Sequence, residues 1–442
     1  MRTQLRWFPQ FAVALFAAMV AAAAVGDENA PASARRLSVS YVNYQQGRAA
    51  ALAGRSLGVV KSAQYAASSQ GSSKLISTNN VLGAGPTLPL WEFNALAARD
   101  GQHHRGVMVG TSPFDNPSTS DIPAKIIPVV FIINSIATSV DSQGNVTTVP
   151  GKVVIDPTAH DNTCMTAPNN VPVRVLRESP IFESADFNFG GTALGHTQYE
   201  DAFMRGNFYS VLEGGSGYHV LFNPVDTLKP LVLNVPPSEG FAVTDAAVLG
   251  GGFCAPLVVV GIDWLDAQLN DQVLPAYASQ GVGPTNLPIF FLYATVMGAP
   301  VSNIFTGCCI GGYHSIGGFP TPTQAYSVFD FDVTGAFGSY WPDSAIASHE
   351  LGEFINDPTG INLVPPWGGT GQVAGCQGNL EVGDPLSGTL MPPVAMPNGY
   401  TYHLQELAFF SWFFGGPSLG VNGWYSSNGT FATDAGTPCL LL

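Results

Sequence analysis

The sequence predicts an α+β fold in which strands outnumber helices and disulfides brace the chain. Three observations support this. Apolar runs of strand length recur from about residue 124 onward. Glycine (50) and proline (34) are abundant, as expected of short elements joined by many turns. Six cysteines follow an N-terminal segment with the layout of an export signal.

Residues 1–26 read as a signal peptide. Arg2 and Arg6 precede the apolar run FAVALFAAMVAAAAV (11–25), and the small residues at 24–26 offer a cleavage site. The run is shorter than the roughly 18 residues a membrane span needs, and no later run reaches that length. The mature chain is therefore expected to be secreted, extracellular or periplasmic, with no membrane span. Residues 27–124 carry no sustained period of 3.6 or 2 and read as a low-complexity leader: linker, propeptide or disordered segment.

Residues 125–442 read as one domain. Strand runs are AKIIPVVFII (124–133), the second half of DSQGNVTTVPGKVVI (141–155), PVRVLRESPIF (172–182), YHVLFNP (218–224), LKPLVLNV (228–235), APLVVVGIDWL (255–265) and LPIFFLYATVMG (287–298). Helical spacing appears in HTQYEDAFMRGNFYSVL (196–212), in LDAQLNDQVLPAYASQ (265–280) and over 344–356. No fixed-period repeat is present.

Charge narrows the function classes. With 16 basic against 31 acidic residues, a net charge of −15 and no Lys/Arg-rich block, the chain lacks the electrostatic means to bind a phosphate backbone. No nucleic-acid partner is expected. The even cysteine set (Cys164, Cys254, Cys308, Cys309, Cys376, Cys439) favours disulfides, with the pairing open. The adjacent Cys308 and Cys309 are expected to bond to different distant partners, because the ring that would join them directly is strained. No Cys-x2-Cys spacing supports a zinc–thiolate cluster.

The stretch with the most chemistry is SHELGEFINDP (348–358). Asp343 or Ser344 can cap a helix that Pro358 stops at Asp357. At about 100° per residue, His349 and Glu353 share one face, one turn apart, so one ion can bridge them. In a His-Glu-x-x-His helix the first histidine binds zinc, the glutamate serves as general base and the last histidine is the second ligand. Here those roles fall to His349, Glu350 and Glu353, with a carboxylate in place of the second imidazole. That exchange makes the site more anionic, its water less acidic and harder metals more competitive. With only 11 glutamates in the chain, a chance match has a probability of roughly 1 in 200. A structural His–carboxylate pair inside a buried helix is the competing reading.

A third ligand is sought in GCQGNLEVGDP (375–385), where Glu381 is the first choice and Asp384 the second; Gly-Asp-Pro is also ordinary turn chemistry. Asp357 lies roughly 12 Å along the helix from His349 and reads as the helix stop. His314, in TGCCIGGYHSIGG (306–318), reads as a loop residue able to steady an oxyanion near the metal, or simply as a satisfied loop histidine. His403 is a weaker candidate, and His103 with His104 fall in the leader. No Gly-x-Ser-x-Gly elbow follows a strand, so a nucleophilic serine has no positive signal.

Several blocks together resemble, in order, a group of secreted bacterial proteins of unassigned role: GTALGHTQYEDAFMRGNFY (191–209), LPIFFLYATVMG (287–298), TGCCIGGYHS (306–315), SHELGEFINDP (348–358), NLEVGDP (379–385) and YHLQELAFFSWF (402–413). That group is regarded as zincin-like on the strength of the same helix. A more distant similarity is to the plant EXORDIUM, or phosphate-induced, family. The resemblance spans about 125–442. It implies a zincin-like domain, carries the metal-site roles onto His349, Glu350 and Glu353, and adds weight to the Glu381–Asp384 segment. The chain departs from the bacterial pattern where Pro385 follows Gly-Asp and Cys376 precedes the segment.

The resulting expectation is a secreted zinc peptidase or hydrolase acting on a peptide or protein substrate. One zinc ion would be held by His349, Glu353 and Glu381 or Asp384, with Glu350 and His314 catalytic. The alternative is a non-catalytic cell-surface or extracellular binding module on the same scaffold.

Overall fold

The computed structural model describes residues 87–141, 145–165, 170–212, 217–245, 248, 253–298, 309–317, 324–433 and 439. The segments expected to be a signal peptide (1–26) and, as far as residue 86, a leader lie outside them.

The leader boundary needs correction. Residues 87–124 do not precede the domain but are built into it, as the hairpin β1 (Leu90–Leu96) and β2 (His103–Val109) and the start of β3 (Thr119–Val140). Trp91 and Phe93 are core residues, and Phe93 packs edge-on against Phe410, 5.1 Å between ring centres. Such aromatic burial ties the hairpin to the C-terminal part of the chain.

The long strand β3 organises the main sheet, and two prolines set its pattern. A proline gives no N–H to a ladder. At Pro123 the register with β7 (His219–Thr227) slips, and at Pro128 the partners change. Before Pro128, β3 pairs in parallel with β7 and β11 (Leu287–Tyr293). Beyond it, β3 pairs with β4 (Val146–Ile155) and β8 (Leu231–Val235), and Ile136 meets β9 (Gly240–Val243). Ala294, with φ 47°, then bends the chain from β11 into β12 (Thr295–Gly298). The amide of Thr295 released at the bend donates to Asp330, 3.0 Å. β12 pairs with β10 (Leu257–Gly261), β10 with β9, and β9 returns to β3, so this sheet of ten strands curls almost into a barrel. On the other side of β11 lie β14 (Gln324–Phe331) and β13 (Gly312–Gly317).

The helices expected at 196–212 and 265–280 are present. The first, after the antiparallel pair β5 (Ala185–Phe189) and β6 (Thr192–Thr197), is α2 (Tyr199–Asn207) with the short α3 (Tyr209–Leu212). The second begins earlier than expected, as α4 (Ile262–Gln268), and runs through a π turn into α5 (Leu274–Tyr277). One expected strand is a helix: Pro172–Arg177 forms α1, with Pro172 in the first turn, where its missing N–H costs nothing. The candidate helix is α6 (Ala345–Asn356), within one residue of expectation. It rests on β13 and β14. Its far side is covered by the segment after the hairpin β15 (Leu363–Thr370) and β16 (Val373–Asn379), and by the chain leading into α7 (Phe410–Phe414).

Two disulfides join Cys164 to Cys254 and Cys376 to Cys439. They use four of the six cysteines, so the distant partners expected for Cys308 and Cys309 are already taken; Cys308 itself lies outside the described residues. The Cys376 bond anchors β16, the strand that delivers Glu381 and Asp384. Among the described residues no helix is long and apolar enough to cross a membrane.

Candidate metal centre

Helix α6 has firm ends. At its start the Asp343 carboxylate accepts from the amide of Ser344 (2.5 Å) and from the amide (2.9 Å) and Nδ1 (2.6 Å) of His403. His403 therefore serves the helix start, and the bond to Asp343 raises its pKa above the ordinary range. At the far end Asp357 leaves the helical region (φ −142°), and its carboxylate accepts from the amides of Ile361 (3.0 Å) and Asn362 (2.8 Å). The helix stop read from Pro358 is thus made by Asp357. Burial pushes the Asp357 carboxyl up to about 7 against the opposing pull of His314 and these amides.

Every residue of α6 is buried. An ordinary amphipathic surface helix turns its charged face to water. Here that face is turned inward, and His349, Glu350 and Glu353 meet His314, Glu381 and Asp384, all at most 5% exposed. His314 is not on a loop: it sits in β13, opposite Ser327 of β14, and is fully enclosed.

Two groups of donors share Glu353. In the first, His349 Nε2 lies 3.1 Å from Glu353 Oε1 and 3.5 Å from Asp384 Oδ1. In the second, His314 Nδ1 lies 3.6 Å from Glu350 Oε2 and 3.8 Å from Glu353 Oε2. Ligand atoms about 2.1 Å from one ion stand about 3–3.5 Å from one another, so both groups are close to coordination spacing. Of the two proposed third ligands, it is Asp384 that joins His349 and Glu353. Glu381 stands elsewhere, its Oε2 3.9 Å from His314 Nε2.

Both imidazoles are tied by the ring nitrogen that does not face Glu353. His349 Nδ1 lies 3.1 Å from Gln405 Oε1, and Gln405 is itself oriented by donating Nε2 to the Gly383 carbonyl (2.7 Å). His314 Nε2 lies 2.9 Å from the Asp357 carbonyl. A proton on each tied nitrogen leaves the inward nitrogen as a bare lone pair, the arrangement that metal-binding histidines adopt. Asp384 is oriented in the same way, by the amide side chains of Gln372 on Oδ1 and Gln377 on Oδ2 (2.6 Å).

Close approach depends on two glycines. A Cβ on Gly383 would lie 2.6 Å from the His349 ring, and one on Gly312 would lie 2.6 Å from Glu350 Cγ. Gly383 also brings its amide, with that of Asp384, onto Glu353 Oε1 at 3.1 and 3.2 Å.

The electrostatics leave a deficit of positive charge. Burial, followed by repulsion from Glu353, Asp357, Asp384 and Glu350, holds Glu381 well above the usual carboxylate range. Burial opposes the charged form of His349, yet Glu353 and Asp384 outweigh it and raise the imidazole well above its ordinary value. Glu353 Oε2 and Glu381 Oε2 have no hydrogen-bond partner. Buried carboxylates in this condition must be neutralised by protons or by a cation. The nitrogen and oxygen donors fit a divalent metal ion of borderline or harder character.

Sequence reasoning missed Gln405, Gln372 and Gln377, which hold the ligands in place. Isolated amides carry no motif; the available signals were that Gln377 lies in GCQGNLEVGDP (375–385) and Gln405 in YHLQELAFFSWF (402–413). Comparison of the chain with protein-family models, curated proteins and solved structures finds no match to any of them.

Proposed function

We propose that the chain is an exported metal-dependent hydrolase acting on peptide bonds. The observation that carries this reading is the convergence of His349, Glu353 and Asp384, with a tied imidazole, beside the carboxylate of Glu350. His349 Nε2, Glu353 Oε1 and Asp384 Oδ1 would hold the ion. When bound, a divalent cation supplies Lewis acidity, polarising a carbonyl and making water a stronger nucleophile. Glu350, the next residue after His349, offers a carboxylate to take up a proton from water. His314, 3.6 Å from that carboxylate, can share the proton or face a developing oxyanion. Zinc remains the favoured metal and an extracellular or periplasmic location the favoured compartment; the two disulfides support an oxidising one.

A second reading, a non-catalytic extracellular module with a structural ion, draws support from the burial of all six groups, which resembles a closed site. A mixed peptide library offered to the metal-loaded chain separates the two. Cleavage by wild type and none by Glu350→Gln is the expected result. A metal-loaded wild type that cleaves nothing, or a Glu350→Gln variant that cleaves equally well, overturns the hydrolase reading.

A further inference from the structure

We infer that the centre holds two divalent cations, with Glu353 bridging them. The inference rests on the reading of the cluster as a metal centre and goes beyond the single ion expected from the helix motif.

The argument starts from the two oxygens of Glu353. Oε1 belongs to the His349–Asp384 group, whereas Oε2 is turned the other way, 3.8 Å from His314 Nδ1. Oε2 is fully buried and accepts no hydrogen bond. One ion at the first group leaves this oxygen, and the negative charge around it, uncompensated. The second group supplies what another cation needs: an imidazole nitrogen from His314, a carboxylate oxygen from Glu350 and the spare oxygen of Glu353, all within 4.8 Å of one another. His314 is oriented for this by the Asp357 carbonyl, just as His349 is oriented by Gln405.

Charge counting agrees. Glu350, Glu353 and Asp384, the carboxylates of the two groups, carry three negative charges when ionised. One dication balances two of them and leaves one over. In this arrangement Glu350, the proton acceptor of the single-ion reading, acts as a ligand. The carboxylate that replaces the second histidine of the familiar motif also gains a reason: one imidazole nitrogen cannot serve two ions, and two carboxylate oxygens can.

The test is a titration of the chelator-stripped full chain with Mn2+ and separately with Zn2+, read by elemental analysis after desalting and by electron paramagnetic resonance of the manganese form. Wild type is expected to retain two ions per chain and to show an exchange-coupled manganese spectrum. His314→Gln and His349→Gln are each expected to retain one ion and to give the isolated-ion pattern, with circular dichroism as the check on folding. If wild type saturates at one ion with an isolated-ion spectrum, the second seat does not exist, while the hydrolase reading stands. If wild type binds none, the metal reading itself fails. The wild-type result decides even if a variant misfolds.

Discussion

Glu353 Oε1 stands 3.1 Å from His349 Nε2, one turn along a helix that is buried on every side. The same oxygen accepts from the amides of Gly383 and Asp384, so this one residue joins the helix to the acidic segment. A histidine at this position would complete the familiar zinc motif but could not accept both amides. Glu353→His is therefore expected to weaken cation binding rather than strengthen it, and to cost about 1–3 kcal/mol of stability for the unmet donors. Isothermal titration and thermal melting of the variant check both effects.

The Gln405 side chain joins His349 Nδ1 (3.1 Å) to the Gly383 carbonyl (2.7 Å). Gln405→Leu removes the acceptor that fixes the imidazole tautomer. Cation affinity should fall by about 10–100-fold with little change in the fold, measured by competition against a chelator of known affinity.

Gly383 is required by contact with the His349 ring. Gly383→Ala brings a methyl to within 2.6 Å of that ring and should destabilise the chain by about 1–3 kcal/mol while also weakening metal binding. Gly416→Ala is the control, because nothing lies within 4 Å of its would-be Cβ. Denaturant melts of the two variants should separate clearly.

Glu200, on α2, is fully buried, and neither carboxyl oxygen has a hydrogen-bond partner. Burial raises its pKa well above the ordinary glutamate value of 4.5. The folded state therefore holds this proton after the unfolded state has released it, and stability is lost as pH rises above 4.5 towards the folded pKa. Glu200→Met abolishes that loss. The variant should be more stable than wild type by about 1–3 kcal/mol at neutral pH, with the gain shrinking as pH falls below the unfolded value. Urea melts across pH 4 to 8, as a rough working range, would show the trend; a gain independent of pH would contradict the assignment.

Much of this was legible in the sequence because it is local. The helix over 344–356, its stop at Asp357 and the alignment of His349 with Glu353 follow from periodicity and from Pro358. The return of the Glu381–Asp384 segment to that helix was also anticipated. Which of the two carboxylates meets His349 was not, because that depends on the packing of Gly383 against the ring, a tertiary contact. His314 was placed on a loop because its glycine-rich surroundings mask a strand whose partner, β14, lies ten or so residues away. The hairpin of β1 and β2 was missed because its burial depends on Phe410 and Phe414, about 300 residues later in the chain. Pro172 was read within an apolar strand run, although proline is equally at home in the first turn of a helix.

The most direct test of the account is whether this buried cluster binds a divalent cation at all. Calorimetric titration of the chelator-stripped chain with Zn2+ or Mn2+, followed by thermal melting, measures it. Stoichiometric binding is predicted, with the melting temperature raised in proportion to a stabilisation of about 2.7 kcal/mol when free metal is a hundredfold above Kd, with both effects diminished in His349→Gln/Asp384→Asn and lost when His314→Gln is added. A correctly folded wild type that binds no stoichiometric cation and melts at the same temperature with and without metal would contradict the account.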